Sequence, residues 1–354
     1  MGYDFSFSFD NLFYWVANEI IFCMRSNWLP IILGVIITVI IINKSFVAHK
    51  QNIEAEKVFA AYVATEPIDT VWRGWNKYEI PTYNDSGKLI WYGHELIANT
   101  SYYLGPKGIV AQISNGMNCQ NCHLAGGTLP YGNNYGKVYA VYPQFRARSN
   151  GIQSIYGRVN DCLERSLNGK ALDTTSREMK AIYAYIKWLG NGTPKGYARG
   201  GTSLMKLKYL DVAANPDQGN KVYIAKCQSC HGEKGEGKLN AQQTGYEYPP
   251  LWGANSYNDG AGLYRLASFA GFVKNNMPFG ADYHNPMLTD EEAWNVAAYV
   301  NSQPRPHKDQ KGDWKNIAKK PIDHPFGPYA DTFSEKQHKY GPFTPINNSL
   351  KTQK

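Results

Sequence analysis

Two five-residue runs constrain this chain more than any other part of its sequence: Cys119-Gln-Asn-Cys122-His123 and Cys227-Gln-Ser-Cys230-His231. Two thiols three positions apart lie on one helical turn, so each can add to one vinyl group of a single porphyrin. The next residue then presents an imidazole under the iron as proximal ligand. A zinc site is one alternative, but its ligand pairs usually lie about 12–20 residues apart, and Cys122 and Cys227 are roughly a hundred positions apart. A redox dithiol is another, and it does not require histidine after both copies. The pattern therefore predicts two covalently bound haem c groups, attached through Cys119, Cys122, Cys227 and Cys230, with His123 and His231 on the irons. Six cysteines in 354 residues are few for a disulfide scaffold.

With 43% hydrophobic and 19% charged residues the chain is compositionally a folded one. Its mean hydropathy of −0.46 excludes a polytopic membrane protein. The net charge of +8 is modest and dispersed, and gives no reason to expect a nucleic-acid partner. Haem c is attached on the outer side of the energised membrane, so an export element is expected. Residues 28–42 (WLPIILGVIITVIII) supply fifteen uncharged positions between Arg25 and Lys44. That is short of the ~20 that span comfortably, although residues 45–48 can extend it. A cleaved signal peptide is the rival reading. It fits less well, because the first 27 residues hold one basic residue against Asp4, Asp10 and Glu19, and Phe46 spoils a small-x-small site before Ala48. Residues 12–24 read as an interfacial helix, with Cys23 a bystander. The expectation is a retained N-terminal transmembrane anchor in the inner membrane, with the remainder in the periplasm.

The resulting fold class is mostly α, with two cytochrome-c-like haem domains in tandem behind that anchor. The expected boundaries are 1–48 for the anchor, 49–205 for the first haem domain, 206–303 for a class I-like second domain, and 304–354 for an extended tail that wraps the domains or docks a partner. In the second domain a short helix over 219–225 leads into Cys227, and helices are expected over 263–273 and 289–301. The latter opens with Thr289 and Glu292 as a capping box. Met277, between these helices, is the expected sixth ligand, as in small class I cytochromes c, with Met287 as its rival. The first domain has no methionine after His123 until Met179. That residue lies in a helix marked by a Thr175–Glu178 capping box and Gly190, and it reads as core. The other soft candidate is Cys162, in a helix over 155–168 with Ser154 as N-cap. Arg158, Cys162 and Ser166, at i, i+4 and i+8, share one face. Arg158 and Arg165 flank the thiol and favour its thiolate. A thiolate can replace methionine on iron, and a small cysteine can equally pack as a hydrophobe; the residues alone leave both open. Arg146 and Arg148 on an extended segment add charge that reads as an anion pocket or as solvated surface.

From Trp91 to Gly196 the sequence resembles the catalytic domain of the dihaem thiosulfate dehydrogenase/tetrathionate reductase family. The motifs are YGHELIANT, the first CxxCH, YPQFRARS, RVNDCLERSLNGK and EMKAIYAYIKWLGNGTPKG. The second domain and the pieces at 327–331 and 337–343 look like the same family. The resemblance implies that Cys162 is the distal ligand of the active-site haem, that Arg148, Arg158 and Ser166 lie at the substrate site, and that the second haem is a His/Met electron-transfer centre. Some members carry lysine before that methionine; here the position is Asn276, which favours Met277. The implied activity couples two thiosulfate ions to tetrathionate, or runs in reverse. Electrons would pass from haem 1 to haem 2 and on to a redox partner such as a small cytochrome c, a quinone-linked protein or an oxidase component. Two dianions repel, so an arginine-rich site suits this reaction. The reading from a different class is a non-catalytic dihaem carrier serving a membrane oxidoreductase.

Overall fold

The structure, a computed structural model, describes residues 34–50 except 36 and 48, and residues 71–352. The chain divides into two units, 1–69 and 70–354. Six longer helices organise the second: α1 (Asp85–Ala98), α2 (Ile155–Arg165), α3 (Arg177–Leu189), α4 (Pro216–Lys226), α5 (Leu266–Asn276) and α6 (Asp290–Ser302). Their starts follow from local chemistry. Asn84, Ser154, Ser176, Asn215 and Thr289 each accept a first-turn backbone N–H on a side-chain oxygen. The capping box of α6 forms as expected between Thr289 and Glu292. That of α3 does not: Asp173 binds the Thr175 hydroxyl and backbone N–H, and Ser176 becomes the N-cap one position later. Helix α2 ends at Arg165 rather than Asn168, and a 3-10 turn (Gly262–Tyr264) precedes α5.

Both halves of this unit use the same crossing. Helix α1 lies against α3, and a Cβ on Gly93 would fall 2.0 Å from the Ala181 carbonyl oxygen. Helix α4 lies against α6, and a Cβ on Gly219 would fall 1.9 Å from the Asn295 carbonyl oxygen. Glycine is needed at both places because the backbones touch. One core gathers Leu96, Leu104, Leu163, Met179, Ile182 and Tyr185, and Met179 is fully buried there as expected. A second gathers Tyr223, Phe269, Trp294 and Ala297, together with Phe343 and Ile346 from the C-terminal stretch. Two short antiparallel ribbons complete the unit, β1–β2 (Gln144–Arg146 with Gly151–Gln153) and β3–β4 (Lys238–Leu239 with Tyr246–Tyr248).

Residues after 303 are stitched to both cores. The backbone N–H of Trp314 donates to the Arg148 carbonyl at 2.8 Å, and that of Ala214 to the Tyr340 carbonyl at 2.8 Å. The stretch is not wholly extended, since α7 (Glu335–Tyr340) and α8 (Phe343–Thr352) lie within it. Between the two halves, buried Asn258 donates to the Glu164 carbonyl at 2.9 Å and to Asn168 Oδ1 at 3.0 Å.

The expected transmembrane anchor requires correction. Among the described residues no helix is long and apolar enough to cross a membrane. The whole apolar run, residues 28–42, is fifteen long and is followed by Asn43 and Lys44, short of the ~20 apolar positions a bilayer core demands. Membrane attachment through an N-terminal helix, and the inner-membrane location built on it, fall with that finding. Residues 1–33 and 51–70, including the interfacial segment at 12–24, lie outside the described residues.

Candidate functional site

The first motif is shaped by its neighbours. Cys119–Asn121 forms one 3-10 turn, and the Asn118 N–H donates to Asn121 Oδ1 at 2.6 Å. Nδ1 of His123 is bonded to the Asn133 carbonyl, and the ring stacks on Tyr135 with centroids 4.5 Å apart. With the Nδ1 proton donated to a carbonyl, Nε2 keeps the lone pair a metal requires. Burial lowers the His123 pKa to about 4, so the imidazole is neutral. Burial also raises the Cys119 and Cys122 thiols to about 12, and both are free of disulfides.

These three side chains open into one cavity of about 910 Å³, ample for a large planar cofactor. Its wall also carries Arg158, Cys162 and Ser166 from α2 and the turn after it, and Arg146 from β1. Ser154 caps α2, so the i, i+4, i+8 stripe read in the sequence faces this space. The charge of Arg158 is favoured first by its interaction with Cys162, against the opposing cost of burial. Lys137 and Lys206 line the same cavity. The Lys137 pKa is lowered by burial and then by repulsion from Lys206 and Arg146. Two free thiols, a neutral imidazole, a soft sulfur donor and several cations in one large cavity fit a haem with its carboxylates.

The second motif follows α4 directly. His231 Nδ1 is bonded to the Pro249 carbonyl at 2.9 Å, and burial lowers the imidazole pKa. Burial raises the Cys227 thiol to about 11. Met277 caps the C-terminus of α5 and packs, half-buried, against the second core along with Cys227 and Cys122. Met287 is 49% exposed. Asn276 is buried, and its amide donates to the Phe272 carbonyl at 2.8 Å and the Tyr131 carbonyl at 3.3 Å. The donor set here fits a second haem as well.

Not every expected cation reaches the cavity. Arg148 turns to Asp161, its Nη2 lying 2.5 Å from Oδ2, and is absent from the cavity wall. Arg165 is buried and pairs with Asp313, Nη1 to Oδ2 at 2.8 Å. Asp161 and Asp313 are the residues that sequence reading missed. The first had a signal, because Asp161 stands three after Arg158 and four before Arg165 on one helix. The second had none, since Asp313 is distant in sequence from Arg165.

A family model described as "SoxA/TsdA, cytochrome c domain" matches residues 110–194, and one described as "Cytochrome c" matches residues 216–304. A thiosulfate dehydrogenase of Psychrobacter arcticus is 40% identical over 221 residues, covering 62% of this chain and 65% of its own length. Another, from Allochromatium vinosum, is 40% identical over 200 residues, covering 55% and 72%. The solved thiosulfate dehydrogenase (TsdBA) from Marichromatium purpuratum, in its "as isolated" form, aligns with a TM-score of 0.62 at 30% identity. That alignment covers 70% of this chain and 54% of the other, so this chain spans about half of the solved one.

Proposed function

This chain belongs to the thiosulfate dehydrogenase family of dihaem c-type cytochromes, and from that premise we propose that it joins two thiosulfate ions into tetrathionate with release of two electrons. The observation that carries the reading is the single cavity in which Cys119, Cys122 and His123 meet Arg158, Cys162 and Ser166. Haem c at the two motifs supplies two one-electron acceptors, matching the two electrons released. Cys119 and Cys122 form the thioether links at the first site and Cys227 and Cys230 those at the second. His123 and Cys162 would hold the iron of the first haem, and His231 and Met277 that of the second. Lys137, Arg146 and Lys206 answer the carboxylates of the first haem.

In this reading Arg158 binds a sulfonate by charge-assisted hydrogen bonds and Ser166 donates one more. Arg148, paired with Asp161, stands behind that wall rather than in it. Cys162 Sγ forms an S–S bond with the sulfane sulfur of one thiosulfate, and two electrons leave as the thiolate and the sulfane sulfur are oxidised. The second thiosulfate attacks that sulfane sulfur, tetrathionate departs, and Cys162 thiolate returns with no further change of oxidation state. Electrons leave by the second domain to an acceptor protein such as a small cytochrome c.

The experiment is anaerobic: oxidised, haem-loaded protein is mixed with thiosulfate while the haem α-band is followed and tetrathionate is assayed. Reduction with one tetrathionate formed per two electrons is the expected result. Oxidation of the prereduced protein by tetrathionate alone would assign the reverse direction, and silence both ways would leave an electron carrier.

A further inference from the structure

Helix α2 carries a carboxylate in the middle of its arginines. Asp161 Oδ2 lies 2.5 Å from Arg148 Nη2 and 2.6 Å from Gln153 Nε2. The same oxygen is 3.9 Å from Arg158 Nη1, and Oδ1 is 3.7 Å from Arg165 Nε. Arg165 has a second carboxylate: its Nη2 donates to Asp313 Oδ1 at 2.9 Å. Asp313 arrives from the C-terminal stretch, whose next residue, Trp314, donates its N–H to the Arg148 carbonyl at 2.8 Å. Three guanidinium groups thus share two carboxylates, leaving one positive charge over. The distances say where that charge stays. Arg148 and Arg165 are in direct contact with carboxylates, while Arg158 lies beyond hydrogen-bond reach of its own. Arg158 is also the most exposed of the three, and it lines the cavity beside Cys162.

We propose that Asp161 is a positioning residue that withdraws Arg148 from the cavity, with Asp313 doing the same for Arg165, so that of these three guanidinium groups only that of Arg158 meets each incoming sulfur oxyanion, Arg146 being taken by the haem carboxylates. The inference rests on the anion site of the proposed function and deepens it. A site with several loose guanidinium groups would hold a dianion tightly in several orientations. A site with one fixed guanidinium holds it less tightly, with its sulfane sulfur directed at Cys162 Sγ. The device therefore exchanges ground-state affinity for orientation.

That exchange has a kinetic signature which loss of packing does not share. In the haem-loaded full-length chain, Asp161→Asn keeps the shape of the side chain and releases Arg148. The expected result is a kcat at least tenfold lower with a KM for thiosulfate that falls, and inhibition by sulfate, a non-reacting anion, several-fold stronger. Asp161→Glu restores kcat in large part. Asp313→Asn, more remote, moves kcat and KM in the same directions by about half as much on a logarithmic scale, and it serves as the test if Asp161→Asn does not fold. An unchanged kcat in the variant that folds, or a KM that rises as kcat falls, would overturn the proposal. A wild-type chain that oxidises thiosulfate while the variant matches it overturns this inference alone. A wild type that neither oxidises thiosulfate nor binds sulfate, measured by titration calorimetry, overturns the anion site itself.

Discussion

At the first motif the Asn133 carbonyl holds His123 Nδ1, and at the second the Pro249 carbonyl holds His231 Nδ1. In one half Gly93 lets α1 meet α3, and in the other Gly219 lets α4 meet α6. The attachment side is thus the same machinery twice. The remaining surroundings differ. The first motif opens onto a cavity walled by Arg146, Arg158, Cys162 and Ser166. The second lies beside an apolar core that buries Tyr223 and Trp252 and against which Cys227 and Met277 pack. A charged, hydrogen-bonding wall can bind and orient an anion, whereas an apolar one can only tune a potential and pass an electron. On the proposed function, the comparison places catalysis with α2 and its arginines, added to a module whose second copy lacks such a wall.

The sharpest way to break that comparison is to make the first site resemble the second. Cys162→Ala is expected to lower thiosulfate oxidation on the order of 10³-fold or more, as removal of a nucleophile does, and to change the spectrum of one haem only. Met277→Ala, by contrast, leaves the first phase of haem reduction by thiosulfate in stopped-flow mixing intact while slowing steady-state turnover. Equal loss of the first phase in both variants would erase the asymmetry. Arg158→Ala is expected to lower kcat/KM about 10–100-fold, the worth of a charge-assisted hydrogen bond of ~1.5–3 kcal/mol, as steady-state kinetics would read.

The C-terminal stretch sharpens the comparison differently, because it packs in the second core yet grips the first site. Trp314 Nε1 donates to His324 Nε2 at 3.1 Å, and burial lowers the His324 pKa to about 4 from 6.5. The neutral ring is favoured in the fold, so its contribution is complete above pH 6.5 and is lost as pH falls towards 4. Between pH 7 and 5 that loss is of the order of 2 kcal/mol. Thermal melts should show the acid decline shallower by that amount in His324→Gln than in wild type. Ser166→Ala carries the smallest expected effect, about 10-fold in kcat/KM, the low end for a hydrogen bond to a charged acceptor (~1.5 kcal/mol).

Much of this molecule was legible in its residues, and the parts that were share a cause. The two motifs, the α2 stripe of Arg158, Cys162 and Ser166, the N-cap Ser154 and the Thr289–Glu292 box are all set by spacings within one or two turns. Local spacing becomes local geometry as soon as a helix forms. Thr175 failed for an equally local reason, since Asp173 competes for it and the helix starts at the next serine. The anchor failed because a fifteen-residue apolar run was extended into a span that the described helix does not supply.

Sequence by itself determined that this chain carries two haem-attachment motifs and, on one helix, a thiol between two arginines; that the helix faces the first motif is tertiary. Only the tertiary structure decided which of Arg148, Arg158 and Arg165 faces the cavity. Arg148, Arg158 and Arg165 are indistinguishable as residues, and their roles separate because Asp161 and Asp313 neutralise two of them. Asp313 reaches Arg165 from 148 positions away along the chain. Charge pairing depends on distance in space, and no pattern in the sequence carries the path by which the C-terminal stretch folds back to deliver that carboxylate.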